Sequence, residues 1–351
     1  VCSMPSVDIQ WNDDNTITVA PPKRPKKLTA TKFAAVLGLN RWTTPFQVWC
    51  EVTRTYNEPF EDTIYTIAGK AIEPKQIQYM RDAYAMDDLR DPTDIYGPDY
   101  FKKTWGNFFD HPILGGMWDA IEVDENGDAT RVLEFKTTKR AEDWADDVPE
   151  YYALQAALYA WLLGCDDVVM VASFLQEDDY DDPGAYVPCA DNTATFEFQV
   201  SERYPDFVNT HVRPALQWWA DHVETGVSPE YDEKLDADYL KPLRNASLNP
   251  TSDIDAMLDE LADLNAKVAA VKASAAKDEK RIEEIKAQLK KYAAENIGDK
   301  DTATIENARV TCKLARIYST KLDEARMVED GIYEKYATEK QSTRFTVSFN
   351  K

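Results

Sequence analysis

The chain has 351 residues, 44% apolar and 29% charged, with a formal net charge of −23. That length and apolar share supply one large core or two modest ones and exclude a peptide-like or fibrous chain. No stretch approaches the ~20 apolar residues of a membrane span and residues 1–27 carry no apolar signal core, so no membrane partner and a cytoplasmic location are expected.

Residues 1–27, polar with Pro21, Pro22 and Pro25, read as a flexible basic tail. Helices are expected over Ala30–Gly38, Pro45–Thr55 and Thr66–Tyr84, where apolar residues step by three and four, and residues 87–111 read as loop. The period then changes to two. Pro112–Val123 and Thr130–Lys139 are β-rich runs joined by Asn126–Gly127, a hairpin signal. A helix over Pro149–Leu163, a buried strand over Val168–Leu175, a surface loop over Glu177–Asp191, a strand over Ala194–Val200 and a helix over Ser201–Gly226, with Ser201 as N-cap, complete an α/β (α+β) core over 28–226, a mixed sheet flanked by helices. Residues 227–250 read as a linker. From Ile254 to Tyr292, with one break at Asp278, apolar residues keep a heptad seam, a coiled-coil-like helix over 251–298 that either projects as an arm or folds back near Ser274. Residues 299–351 read as a small α+β cap, with β-like runs at Ala303–Ile317 and Thr343–Phe349 around a helical Thr320–Asp330.

Charge is unevenly spread. Residues 1–250 hold 22 Lys+Arg against 44 Asp+Glu, and residues 151–200 hold no Lys or Arg. Residues 1–50 carry six bases, Lys23, Arg24, Lys26, Lys27, Lys32 and Arg41, against three acids, so a polyanion is expected to approach from one side. The five cysteines, Cys2, Cys50, Cys165, Cys189 and Cys312, form no Cys-x-x-Cys pair and indicate neither a disulfide framework nor a metal clamp. The three histidines, His111, His211 and His222, read as structural or exposed.

Strand alternation in Arg131-Val132-Leu133-Glu134-Phe135-Lys136 puts Glu134 and Lys136 on one face. Across the hairpin, Gly115-Gly116-Met117-Trp118-Asp119 brings a second carboxylate. Two hard carboxylates and a backbone carbonyl, that of Phe135, make an incomplete oxygen shell suited to Mg2+, with Mn2+ as a substitute. Lys136 is placed to orient a water or neutralise charge on a scissile phosphate. Glu73, four residues after Gly69, and the pair Gln155 and Tyr159 are polar residues on partly apolar helix faces that flank this sheet, and Asp110 is a further acidic candidate.

The order Gly-x-x-x-Glu, Gly-x-x-Asp, Glu-x-Lys, Gln-x-x-x-Tyr resembles the PD-(D/E)XK nucleases of the lambda-exonuclease and YqaJ-type viral recombinase group, with Trp118 at the motif proline position. Leu28-Thr29-Ala30-Thr31-Lys32, then Leu37-Gly38-Leu39-Asn40-Arg41-Trp42-Thr43-Thr44-Pro45 and Val48-Trp49, is similar to that group's N-terminal signature, and Ser342 to Val347 is similar to the ending of phage members. The resemblance implies a restriction-endonuclease-like fold over 24–225. It implies metal ligation by Asp119, Glu134, the Phe135 carbonyl and Glu73, catalysis by Lys136, and a Gln155 contact to DNA or to the attacking water. It implies a 5′-phosphate pocket at Arg24 and Thr31, with Lys32, Arg41 and Tyr159 toward DNA.

The implied activity is a Mg2+-dependent exonuclease, a hydrolase cutting double-stranded DNA from its 5′ ends to supply single strands for DNA recombination. Its implied partners are DNA ends, a single-strand annealing recombinase and further copies of itself, a trimer by resemblance, in a phage- or prophage-encoded setting. The alternatives are a structure- or single-strand-specific endonuclease of the same superfamily, a non-catalytic recombination assembly protein acting through its helical arm, and an acidic DNA mimic.

Overall fold

The computed structural model describes residues 8–245, 251–298, 302–307 and 309–316. The chain divides into two units, Val1–Ser247 and Leu248–Lys351.

The first unit opens with a hairpin of β1 (Gln10–Trp11) and β2 (Ile17–Thr18), and β3 (Leu28–Thr29) leads into α1 (Ala30–Val36). A capping box starts α2 (Pro45–Val52): the Gln47 N–H donates to the Thr44 hydroxyl and the Thr44 N–H to the Gln47 side chain. Thr63 and Thr66 start α3 (Ile64–Ala83) in the same way. The stretch expected to be loop holds β4 (Leu89–Arg90), α4 (Pro92–Tyr96) and α5 (Tyr100–Thr104). Next come β5 (Leu114–Gly115), β6 (Ala120–Val123) and β7 (Ala129–Thr138), then α6 (Glu150–Leu163), which Gly164 ends at φ 78°. The unit continues through β8 (Asp167–Phe174), α7 (Glu177–Asp181), β9 (Thr193–Gln199), α8 (Val200–Arg203), α9 (Arg213–Trp218) and α10 (Ala237–Leu243).

Five strands form one mixed sheet in the order β4-β6-β7-β8-β9, antiparallel except for the parallel β7–β8 pair. The turn at Asn126–Gly127, with Gly127 at φ 85°, joins β6 to β7. Parallel pairing of β7 with β8 requires a crossover, and α6 supplies it. Residues 153–160 of α6 are all buried, as expected of a helix apolar on nearly every side. Alternation divides the sheet's side chains between two layers. Val132, Val168 and Met170 pack with α1 and α6; Leu133, Phe135, Val169 and Val171 pack with Ile77 and Met80 of α3.

Several expectations are corrected. The run Pro112–Val123 is not one strand: β5 leaves the main sheet to pair in parallel with β3, because Gly116 at φ 133° turns the chain. The helix expected over Ser201–Gly226 is interrupted after α8 and then runs without a gap through a π-helical turn at Val208–Val212, α9 and a second π-helical turn at Trp219–Val223. Ser201 lies inside α8 and is no N-cap; its N–H and hydroxyl donate to Asp166. In place of a flexible tail, Ile17 is fully buried and its N–H donates to the Ser228 hydroxyl at 2.8 Å. In place of a linker, residues 227–245 close that same corner. The Tyr231 N–H donates to the Asn15 carbonyl at 2.8 Å, and Asp236, 1% exposed, accepts from the Thr44 hydroxyl at 2.6 Å. Neither segment has a periodicity of its own; each satisfies the other's backbone groups.

In the second unit α11 (Ser252–Asn296) runs unbroken for 45 residues, so it does not fold back near Ser274. The β-like run at Ala303–Ile317 is a hairpin of β10 (Thr302–Glu306) and β11 (Thr311–Ala315), packed on the C-terminal end of α11 where Ala293 and Ile297 are buried. The expected helix Thr320–Asp330 and strand Thr343–Phe349 lie outside the described residues.

Candidate active site

β7 carries the centre of the site. Glu134 is fully buried on the layer facing α6, and Lys136 follows it two residues on. The Lys136 Nζ donates to Glu134 Oε2 at 3.1 Å, and the Gln155 Nε2 of α6 donates to the same oxygen at 3.0 Å. Asp119, just before β6, is tied to β7 twice: the Phe135 N–H donates to Asp119 Oδ2 at 2.9 Å, and the Asp119 N–H donates to Glu134 Oε1 at 3.3 Å. Asp119, Glu134, Lys136 and Gln155 therefore form one hydrogen-bonded network. Phe135, expected to act through its carbonyl, meets Asp119 through its N–H. Gln155, expected to face DNA or water, is 5% exposed and instead holds Glu134.

Three carboxyl groups feel one another. Burial and then Asp119 push Glu73 up to about 7, while Lys136 pulls it down. The same causes raise Glu134 well above the carboxylate range. Burial opposes the charge on Lys136, but Glu134 and Asp119 outweigh it and hold the ammonium protonated; its Nζ also lies 5.2 Å over the Tyr152 ring. Among the described residues no three His, Cys, Asp or Glu side chains are gathered into a ready metal cage. The donors that converge are hard oxygens crowded with negative charge, and that chemistry fits Mg2+ better than a softer ion.

Beside this network lies a basic pocket of about 500 Å³ lined by Lys26, Lys27, Thr29, Lys32 and Arg54, with Trp105, Asn107 and Gly116 on its far wall. Lys32 pairs with Glu51; burial and then Lys26 lower its pKa to about 8. Arg24 and Thr31 are not among the lining residues. Arg24 is exposed and accepts the Arg54 Nε–H at its carbonyl, while the Thr31 hydroxyl bonds that of Thr29 at 2.9 Å. Arg41 is also elsewhere, paired with Asp143 and stacked 4.7 Å over the exposed Trp42.

Tyr159 is corrected as a DNA contact. It is 1% exposed, stacked on Phe109 at 5.8 Å, and a Cβ on Gly116 would stand 2.7 Å from its hydroxyl oxygen. It holds the wall between pocket and carboxylates. Asp110 is exposed. His111 Nδ1 accepts the Ile113 and Leu114 N–H groups, so that histidine is structural.

Two contributors escaped the sequence reading. Gln76, 1% exposed, donates through Nε2 to the Lys136 carbonyl at 3.0 Å and to the Ser173 hydroxyl at 2.9 Å, clamping α3 to β7. Its spacing of three from Glu73 was the available signal. Arg54 sits in a left-handed turn at φ 61° just beyond α2, where no periodicity points to it.

Residues 22–166 match the family model described as YqaJ-like viral recombinase domain. The uncharacterized protein MG373 of Mycoplasma genitalium is 25% identical over 256 residues, covering 62% of this chain and 87% of that one. The Bacillus subtilis protein YqaJ is 25% identical over 231 residues, covering 62% and 60%. Among solved structures, the phage related exonuclease of Haemophilus somnus 129PT aligns at 15% identity and TM-score 0.37, covering 56% of this chain and 95% of that one. The alkaline exonuclease of Laribacter hongkongensis aligns at 15% identity and TM-score 0.38, covering 62% and 93%. All the residues of the carboxylate network and of the basic pocket fall inside the segment, residues 22–166, that is similar to the YqaJ-like viral recombinase domain.

Proposed function

We propose that the chain is a Mg2+-dependent exonuclease that hydrolyses double-stranded DNA from its 5′ ends. The observation that carries this reading is the network of Asp119, Glu134, Lys136 and Gln155, with Glu73 within electrostatic reach, beside a basic pocket. Asp119 and Glu134, with the Phe135 carbonyl and Glu73, would hold the cation, which supplies Lewis acidity toward a phosphodiester and its attacking water. Gln155 keeps Glu134 oriented. The Lys136 ammonium, held protonated, stands where negative charge develops in an in-line displacement. Lys26, Lys32 and Arg54 are suited to a terminal phosphate, in place of Arg24 and Thr31. Single strands so produced would pass to an annealing recombinase, and further copies of the chain would encircle the duplex.

Digestion of linear duplexes bearing 5′-phosphate or 5′-hydroxyl ends tests this. Cleavage that needs Mg2+, stops in EDTA, releases mononucleotides from 5′ ends and is faster on 5′-phosphate is expected. Asp119→Ala, Glu134→Ala and Lys136→Ala are each expected to lower the rate by about a thousandfold or more without unfolding the chain. Full activity in Glu134→Ala would remove the assigned site, and cutting of closed circular DNA would make the enzyme an endonuclease.

A further inference from the structure

We propose that α11 pairs with α11 of a second copy of this chain as an antiparallel coiled coil. The pairing is independent of the nuclease chemistry.

The seam that starts at Ile254 repeats without a slip: positions 254, 261, 268, 275, 282 and 289 alternate with 257, 264, 271, 278, 285 and 292. It lies in solvent. Met257 is 63% exposed, Leu261 41%, Leu264 50%, Val268 52%, Ile282 49% and Ile285 40%. A stripe of this width on a polar helix is the surface that a second helix covers, with a gain of about 25 cal/mol for each Å² removed from water.

Charge chooses the occupant and its direction. Residues 252–266 hold five acids, Asp253, Asp255, Asp259, Glu260 and Asp263, and no base, whereas residues 280–294 hold five Lys+Arg against two Glu. An antiparallel partner sets each acidic segment against a basic one. A parallel partner would set the acidic segments against each other and face Asp278 with Asp278 inside the seam, a buried like-charge pair.

The antiparallel register that keeps every seam position in contact places Leu264 opposite Ile282, Leu261 opposite Ile285 and Met257 opposite Leu289. Asp278 then faces Val268, with Lys267 of the second copy one residue away. The structure offers Met257 a receptacle. Leu289, Ala293, Ile305 and Leu314 line an apolar groove of about 330 Å³ between α11 and its hairpin, rimmed by Lys286, Lys290 and Lys313. Met257 is flanked on its own helix by Asp253 and Glu260, one turn away on either side. A flexible methionine entering an apolar groove, with acids meeting its lysine rim, is complementary in both shape and charge.

The test uses the full-length chain. Its mass in solution by light scattering should fall by half in the double variant Leu261→Asp, Leu264→Asp, while its circular dichroism and cleavage of DNA stay unchanged. Under mild oxidation, mixed Leu264→Cys and Ile282→Cys chains should form a 264–282 cross-link, read by peptide mass spectrometry, and Leu264→Cys alone should form no 264–264 link. A monomeric wild-type chain, an assembly whose mass ignores the double aspartate variant, or a 264–264 link would each overturn the proposal. An assembly held by the first unit alone gives the second of these results.

Discussion

At the scale of single residues the site is built from groups whose charge is set by their neighbours. Glu73 and Glu134 are raised by burial and by Asp119, and Lys136 is held protonated by the same carboxylates. Lys32 has the opposite balance, since burial and Lys26 lower it to about 8. A lysine depressed in the fold adds stability above its unfolded value of 10.5 and loses it as pH falls through about 8. Its charge runs the other way: it is present below about 8 and lost above. Preference for 5′-phosphate over 5′-hydroxyl ends should therefore decline between about pH 7 and 9, and stay flat in Lys32→Arg, as end-labelled digestion measures. A preference constant over that range in the wild type would take Lys32 out of phosphate binding. Asp119, Glu134 and Lys136 were legible from strand alternation and a glycine pair. Gln76 left only its spacing of three from Glu73 and Arg54 left no pattern, because what gives each its place is a partner distant in sequence: the Lys136 carbonyl for one, the basic pocket for the other.

At the scale of elements, the connection from β5 to β6 decides whether Asp119 reaches β7. Gly116 at φ 133° makes that turn, and the space for its side chain is already filled by the Tyr159 hydroxyl. Gly116→Ala should cost about 2–4 kcal/mol in urea unfolding and lower cleavage along with it, since both the backbone and α6 must shift. A loss below about 0.5 kcal/mol would mean that the turn relaxes and does not fix Asp119. The same turn explains why one strand was expected over Pro112–Val123: its composition is β-like throughout, and a positive φ at Gly116 leaves no mark on hydrophobic alternation. The long elements were legible. The pattern of α3, β7, α6 and β8 follows from burial on one or both faces, which writes itself into sequence as periodicity.

At the scale of the whole molecule, the boundary at Ser247 and Leu248 separates two units of different character. A chain ending at residue 247 should keep the thermal midpoint of the first unit within about 2 °C, as calorimetry measures, because units with their own cores unfold independently. A clear drop would show that the second unit contributes to the first unit's stability. No helix among the described residues is long and apolar enough to cross a membrane. The sequence by itself determined the mixed sheet, the flanking helices, the heptad helix and the pairing of Glu134 with Lys136 on one face of β7, because each depends on periodicity or on neighbours within a few positions. Only the tertiary structure decided that residues 8–27 and 227–245 close one corner of the core, that Tyr159 is a buried wall, and that the basic pocket is formed by Lys26, Lys32 and Arg54. Those depend on contacts between segments far apart in the chain, where hydrogen-bond partners and enclosed space are fixed by how the elements pack.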